Sequence, residues 1–426
     1  MIMSRMVALV ACAAGIVLAG NVPRWEPTYE MWRSTAFMPC NNSGFFDPAY
    51  AAKWGIVDFD WSNGKADWAN QKPMDCQERL VEQVKRIKAL NNQTRLFVYR
   101  NIVKALPWYT DVREKITDPQ YHGWFLKFKD GINGSYHVPA CTAGKCSELY
   151  HDQEQTPRHP HGDGSCRDEC DCGSVPCGEY IWDHRNDTLR EWLIKQFVMG
   201  STGLSNPSID GFYFDDDWAD SPQPAAAWWP KYGFCNGDVI GGPSEEHPNC
   251  TVDMGLTQND TTSIKARWRD TMSAISERVL AAQGFTWQMF HTISGAPAKG
   301  DVCTSYFRRA CHSGSTEQTS AVLVTFTGKE RMTSPLEDLA TFLLVRGPFA
   351  WIGHAWIGCT SGKSAAAKYP RPQSLDVDYG VPQGLCKESQ LHSGVFERAW
   401  SKAHVTFDCN SGKAKILLRG MDTVVI

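Results

Sequence analysis

The chain has 426 residues and a net charge of −4 with no basic block, which argues against nucleic acid and anionic membrane surfaces as partners. Past the N-terminus no stretch reaches the roughly 18 uninterrupted apolar residues of a spanning helix, so membrane insertion is not expected. Sixteen cysteines and seventeen tryptophans remain to be explained.

Residues 1–20 read as a secretory signal peptide: Arg5, an apolar run, and the small-residue end Val17-Leu18-Ala19-Gly20. Export accounts for the cysteines. Fifteen remain once Cys12 leaves with the signal, so most should form disulfides and one is left over. Six sequons, at Asn41, Asn92, Asn133, Asn186, Asn249 and Asn259, fit an exported glycoprotein. At least half of the tryptophans are expected in the core. The others are flat apolar rings of the kind on which sugar faces stack.

From residue 21 onward, short apolar β-rich runs alternate with amphipathic helices, the pattern of parallel strands with helical crossovers. Eight runs stand out: Thr35–Pro39, Gly55–Trp61, Thr94–Arg100, Asp210–Asp216, Thr286–His291, Cys303–Arg308, Ala321–Phe326 and Pro348–His354. The spacing predicts helices over Cys76–Leu90, Asp187–Met199, Thr262–Gln283 and Pro335–Val345. The expected fold class is α/β, a (β/α)8 TIM-type barrel over 21–374. It is degenerate after the fifth and sixth runs, where the crossovers are too short for regular helices. A cysteine-rich insertion (121–185) follows the third strand, a second insertion (219–258) follows the fourth, and 375–426 reads as a small β-rich appendage.

The segment Asp210-Gly-Phe-Tyr-Phe-Asp-Asp-Asp-Trp218 carries the strongest chemical signal. Side chains alternate along a strand, so Tyr213 and Asp215 share one face and the phenylalanines take the other. In a barrel the phenylalanines pack outward and Asp215 points to the C-terminal mouth, where such enzymes keep their active sites. A helix cap at Asp217 or a calcium loop is the structural alternative for the aspartate cluster.

This segment resembles the fourth-strand signature of retaining barrel glycoside hydrolases of the α-amylase and α-galactosidase type. The resemblance implies Asp215 as nucleophile. The wider layout resembles poorly characterised secreted glycosyl-hydrolase-like barrels. It rests on Trp124-Phe-Leu-Lys-Phe-Lys-Asp-Gly131, on Trp182-Asp-His-Arg-Asn-Asp-Thr-Leu-Arg-Glu-Trp192, on Asp378-Tyr-Gly-Val-Pro-Gln-Gly384 and on the segment from Val395 to Val405.

Glycoside cleavage takes two carboxyl groups. The resemblance puts the second at the fifth or sixth strand end, and neither Thr286–His291 nor Cys303–Arg309 supplies one. The candidates for proton donor are therefore Asp60, Asp183, Glu330 and Asp216, in a more apolar or more like-charged setting than Asp215. Tyr213, Trp61, Trp218 and His291 would line the sugar subsite, with Arg100 and Asn101 as hydrogen-bonders. The expected activity is hydrolysis of O-glycosidic bonds in an oligo- or polysaccharide by a secreted monomer. A catalytically inactive, carbohydrate-binding barrel is the alternative, and an adhesion protein acting through the insertion is a third.

No cofactor is implied. Cys166-x3-Cys170-x-Cys172-x4-Cys177 lacks zinc-site spacing, so no metal is expected. Cys141, Cys146, Cys166, Cys170, Cys172 and Cys177 should pair mainly among themselves, because closing short loops costs least. Mass mapping of unreduced peptides checks this pairing. Mainly free thiols, or stoichiometric zinc, would overturn it.

Overall fold

The computed structural model describes residues 22–71, 73–127, 149, 180–216, 256–312, 320–328, 332–359 and 365–420. The insertion cysteines, Asp217, Trp218 and Glu330 lie outside these residues.

Eight parallel strands form one curled sheet. In chain order they are β1 (Thr35–Phe37), β2 (Ile56–Phe59), β3 (Arg95–Asn101), β6 (Gly211–Asp215), β7 (Phe285–Thr286), β8 (His291–Ser294), β9 (Val322–Thr325) and β10 (Ala350–His354). The sheet order is β7-β6-β3-β2-β1-β10-β9-β8. Between β3 and β6 a two-residue pair, β4 (Lys104–Ala105) and β5 (Tyr180–Ile181), runs antiparallel. Flanking helices are α1 (Pro48–Ala51), α2 (Lys65–Trp68), α3 (Cys76–Leu90), α4 (Thr110–Thr117), α5 (Asp187–Trp192), α6 (Gln258–Ala281), α7 (Asp301–His312) and α8 (Pro335–Val345). Together these make a TIM-type α/β fold.

Alternation divides the strand side chains between two cores. Ala36, Ile56, Phe97, Phe285, Leu323 and Trp351 fill the lumen. Phe37, Val57, Phe59, Val98, Phe212 and Ile352 pack outward on the helices. At the N-terminal end of the strands Trp25 closes the lumen, with ring centroids 6.0 Å from Phe97, 6.0 Å from Phe285 and 6.2 Å from Trp351. Those strands come from both halves of the sheet, so one indole draws the curl together. Nine of the seventeen tryptophans are buried, which places the majority in the core.

Three of the predicted helices appear close to their expected spans. α3 buries Leu80, Val84 and Ile87, whereas Leu90 at its end is exposed. α8 starts with Pro335 at its first turn, but the Ser334 side chain does not cap it. The helix begun by α5 continues in π-helical geometry over Leu193–Val198. α6 is fastened at its start by a capping box between Thr257 and Asp260.

The run Cys303–Arg308 is not a strand. It lies inside α7, where Cys303, Phe307 and Cys311 recur every four residues and are buried. The sixth strand is β8, which the run Thr286–His291 touches only at its last residue. β7 and β8 are separated by residues 287–290 alone, with a 3-10 turn at Trp287–Met289. Four residues are too few for a parallel crossover, so the shortened connection lies there. A regular helix follows β8, contrary to expectation.

Asp338 ties the C-terminal ends of β8 and β9 to α8. Its oxygens accept from the Ala296 amide, the Thr327 amide and the Thr327 hydroxyl, each at 2.7 Å. Behind α7 and α8 stands an antiparallel sheet of β11 (Lys387–Glu388), β12 (Val395–Ala399), β13 (Ala403–Asp408) and β14 (Lys413–Leu418). Disulfides Cys303–Cys409 and Cys311–Cys386 attach α7 to it, and a third, Cys40–Cys359, joins segments following β1 and β10. Cys76 is the free cysteine among the described residues. No described helix is long and apolar enough to cross a membrane. Asn41 is buried and donates to the Phe45 carbonyl, so its sequon is not a surface site.

The Arg398 guanidinium is buried and donates to three carbonyls at the end of α8: Leu343 at 3.2 Å, Leu344 at 2.9 Å and Arg346 at 2.7 Å. Arg398→Met keeps the aliphatic bulk and strands those acceptors. It should cost about 2–4 kcal/mol, read as a lower denaturant midpoint at unchanged m-value.

Candidate active site

The paired strands β3 and β6 set Tyr99 opposite Tyr213 and Asn101 opposite Asp215. All four side chains point into the lumen at the C-terminal end of the strands. Asp210 opens the Asp-Gly-Phe motif at the other end, held by Lys88 at 2.7 Å and Arg95 at 2.9 Å. Gly211 is required where it stands, since a Cβ would lie 2.3 Å from the Phe285 carbonyl oxygen and 2.6 Å from the Phe97 ring. The motif thus splits into a structural start and a chemical end.

Asp215 is gripped by two phenols. The Tyr99 hydroxyl donates to Oδ2 at 2.9 Å and the Tyr213 hydroxyl donates to Oδ1 at 3.3 Å. Burial, reinforced by the negative charges of Asp216 and Asp60, pushes the Asp215 carboxyl up to about 6, although the Tyr99 hydrogen bond opposes the rise. Asn101 organises the rest. Its Oδ1 accepts from the Val103 amide at 2.9 Å and the Lys104 amide at 2.7 Å, which fixes the amide's orientation. Its Nδ2 then donates to the Tyr99 hydroxyl at 3.0 Å and to Asp216 Oδ2 at 2.6 Å. Because Tyr99 receives from Asn101, its single proton is directed to Asp215 Oδ2. Oδ1, with the longer bond, is the less tightly held of the two oxygens.

Asp216 has a left-handed backbone, with φ 56°, and its carboxylate lies 3.7 Å from Lys104 Nζ. Aspartate is among the few non-glycine residues that take this conformation readily, at a cost of about 1–2 kcal/mol. The turn carries Asp216 back toward Asn101.

Asp60 follows β2 in the same mouth. It is buried, Oδ1 accepts from the Ser62 amide at 2.8 Å, and its charge is felt at Asp215. A carboxylate oxygen lies within 4.8 Å of both sulfurs of Cys40–Cys359. Those sulfurs are joined in a disulfide and offer no thiolate to a metal. Trp61 follows, its ring 6.4 Å from Tyr99 and 5.1 Å from Trp108, with Lys65 Nζ 4.4 Å above it.

Three of the expected site residues are elsewhere. Arg100 has the opposite parity to Tyr99 and Asn101, so it points outward. It is fully buried there, donating to the Tyr99 carbonyl at 2.8 Å and the Phe197 carbonyl at 3.4 Å. Asp183 is bound by the Arg185 guanidinium at 2.7 Å, and Arg185 also bridges to Asp260. His291 opens β8 and is exposed, at the N-terminal end of the strands and opposite Asp215. Tyr99 was missed, although the alternation that selects Tyr213 and Asp215 also selects Tyr99 beside Asn101.

Asp58 lies one inward position below Asp60. It is fully buried, and neither carboxylate oxygen has a hydrogen-bond partner among the described residues. Burial, with the charge of Asp60 added, holds its carboxyl well above the ordinary range.

No protein-family model matches the chain, and no curated protein matches it. Among solved structures it is similar to cyclic α-maltosyl-(1→6)-maltose hydrolase from Arthrobacter globiformis, at 9% identity and TM-score 0.39, covering 94% of this chain and 92% of that one. Sucrose 6F-phosphate phosphorylase from Thermoanaerobacter thermosaccharolyticum gives 7% identity and TM-score 0.39, covering 92% and 97%. The α-amylase from Geobacillus thermoleovorans gives 9% and 0.35, covering 88% and 86%. At such values these likenesses say nothing about this chain's own activity.

The Asp58 carboxyl holds its proton in the fold and releases it near pH 4 in the unfolded chain. Above pH 4 the native state therefore loses stability relative to Asp58→Asn, by up to about 1.4 kcal/mol per pH unit until the buried group ionises. The difference in melting temperature between variant and wild type should move in the variant's favour as pH rises above about 4. A pH-independent difference would show that Asp58 is ionised and satisfied in the fold.

Proposed function

We propose that this chain is an exported glycoside hydrolase acting on O-glycosidic bonds of an oligo- or polysaccharide. One observation carries the reading: a half-buried carboxylate, Asp215, is held by two tyrosine hydroxyls at the C-terminal mouth of the barrel, with Asp60 and Asp216 beside it. Fold alone would not support a function. This arrangement supports chemistry that needs one ionised carboxylate and a second carboxyl able to give a proton.

Ionised Asp215 attacks the anomeric carbon through Oδ1, or takes a proton from the attacking water. Tyr99 holds Oδ2 throughout. Asp60 or Asp216 passes a proton to the departing oxygen, which leaves as a hydroxyl. Trp61 and Tyr213 offer ring faces for the sugar, and Asn101 keeps the carboxylates in place. Export is proposed from the N-terminal run and fits the three disulfides.

A binding protein without catalysis is the second reading. It is favoured by the lack of any carboxylate in residues 285–294, the segment that forms β7 and β8.

In a glycan screen, Asp215→Asn should cut turnover of any cleaved substrate by several orders of magnitude while sugar binding persists. The wild-type kcat/KM should fall as pH drops through about 6, because protonation removes the nucleophile. Tyr99→Phe should move that limb to higher pH. Near wild-type turnover by Asp215→Asn would refute the assignment, and binding without cleavage of any glycan would establish the second reading.

A further inference from the structure

A cavity of about 610 Å³ lies at the N-terminal ends of β8, β9 and β10, between those strands and the helices α7 and α8. It opens at the opposite rim from Asp215. The packing of α7 accounts for it. The buried stripe of that helix, Cys303, Phe307 and Cys311, is turned to the antiparallel sheet. Two disulfides fasten it there, and the Phe307 ring lies 5.1 Å from Phe396 and 5.2 Å from Phe407. Toward the cavity α7 presents Tyr306, Arg309 and Ala310 instead. The outward residues at the start of β8 and β9 are thus left without a close-packed cover, and His291 is exposed.

The walls are apolar: Ile293, Val322, Val324, Phe342, Val345 and Ala350. A cavity of this size and lining is of the kind that holds small organic molecules. Among the described residues no carboxylate lines it, whereas Arg309, Arg346 and His291 do. Arg346 is buried and donates to the Thr28 carbonyl at 2.7 Å and the Ser34 hydroxyl at 2.9 Å. Arg309 is exposed, which puts it at the opening, and among the described residues no acid pairs with it. Its neighbour Arg308 is held by Glu388 at 2.9 and 3.0 Å.

We infer that this cavity binds a molecule with an apolar body and one carboxylate head, of the fatty-acid type. An acyl chain displaces water from the valine and phenylalanine walls. The planar Arg309 guanidinium matches a carboxylate through two parallel N–H···O bonds, and His291 adds a ring nitrogen at the same opening. An amine would meet two guanidinium groups with no acid to offset them. A neutral alcohol would leave Arg309 unmatched. The inference stands apart from the carbohydrate reading, since none of these residues lies at the mouth that holds Asp215.

The test is isothermal titration of the full chain at pH 7 with decanoate, decanol, decylamine and decyl sulfate, each below its micelle-forming concentration. Decanoate should bind one to one, about tenfold or more tightly than decanol or decylamine, the worth of one charge-assisted hydrogen bond. Arg309→Gln should remove most of that advantage and leave decanol binding unchanged. Ala310→Phe, which fills the cavity from α7, should abolish binding of both.

Equal binding of decanol, an undiminished decanoate preference in Arg309→Gln, or no binding of decanoate would overturn the inference. Tighter binding of decyl sulfate would overturn the carboxylate assignment. Uptake at several sites that persists in Ala310→Phe would mark surfactant adsorption and overturn it as well.

Discussion

The register between β3 and β6 sets Tyr99 against Tyr213 and Asn101 against Asp215, and the chemistry of the mouth depends on it. A slip of one residue would turn Asp215 toward the helices and bring Phe214 into the lumen, since side chains alternate with a period of two. Several features enforce the register at once. Lys88 and Arg95 fix Asp210 at the base of β6, Gly211 allows close approach to Phe97 and Phe285, and the outward Phe212 and Phe214 pack in the outer core. The Asp215 end of the strand is thus positioned by interactions at its Asp210 end.

Above that frame the polar groups form a directed chain. Two backbone amides orient Asn101, Asn101 orients Tyr99, and Tyr99 commits its proton to Asp215. Each donor has a defined acceptor, so the network holds one arrangement rather than several. Asp58 stands outside this chain. Its isolation costs stability in the unliganded protein, in keeping with the general observation that strained or unsatisfied groups gather where a protein acts.

The second support lies behind the barrel. α7 and α8 are held from below by β8, β9 and β10 and from behind by the antiparallel sheet, through two disulfides and the Arg398 guanidinium. These contacts span long sequence separations and brace the half of the barrel that has the short connection between β7 and β8. The half that carries the carboxylates is braced instead by α3 to α6 and by the aromatic cluster of Trp61, Trp68 and Trp108.

The amino-acid sequence by itself determined the alternation of strands and helices, the inward face of β6, and the spans of α3 and α8. These depend on local periodicity, which a chain carries without its fold. It could also have revealed Tyr99 and placed Arg100 outward, because both follow from counting by two along β3. Other features were beyond it. Cys303–Arg308 looks strand-like over six residues, and only the disulfide partners at Cys386 and Cys409 show why its four-residue spacing matters. His291 ends a run in the sequence but begins a strand in the fold, and a shift of a few residues along a parallel strand moves a side chain from one rim to the other. Asp183 lies beside a strand end like the residues of the candidate site, yet Arg185 binds it and bridges on to Asp260, 75 residues beyond that arginine. The isolation of Asp58 is likewise a property of three-dimensional surroundings: whether a buried carboxylate finds a donor depends on which distant segments close over it, and tertiary structure alone decides that.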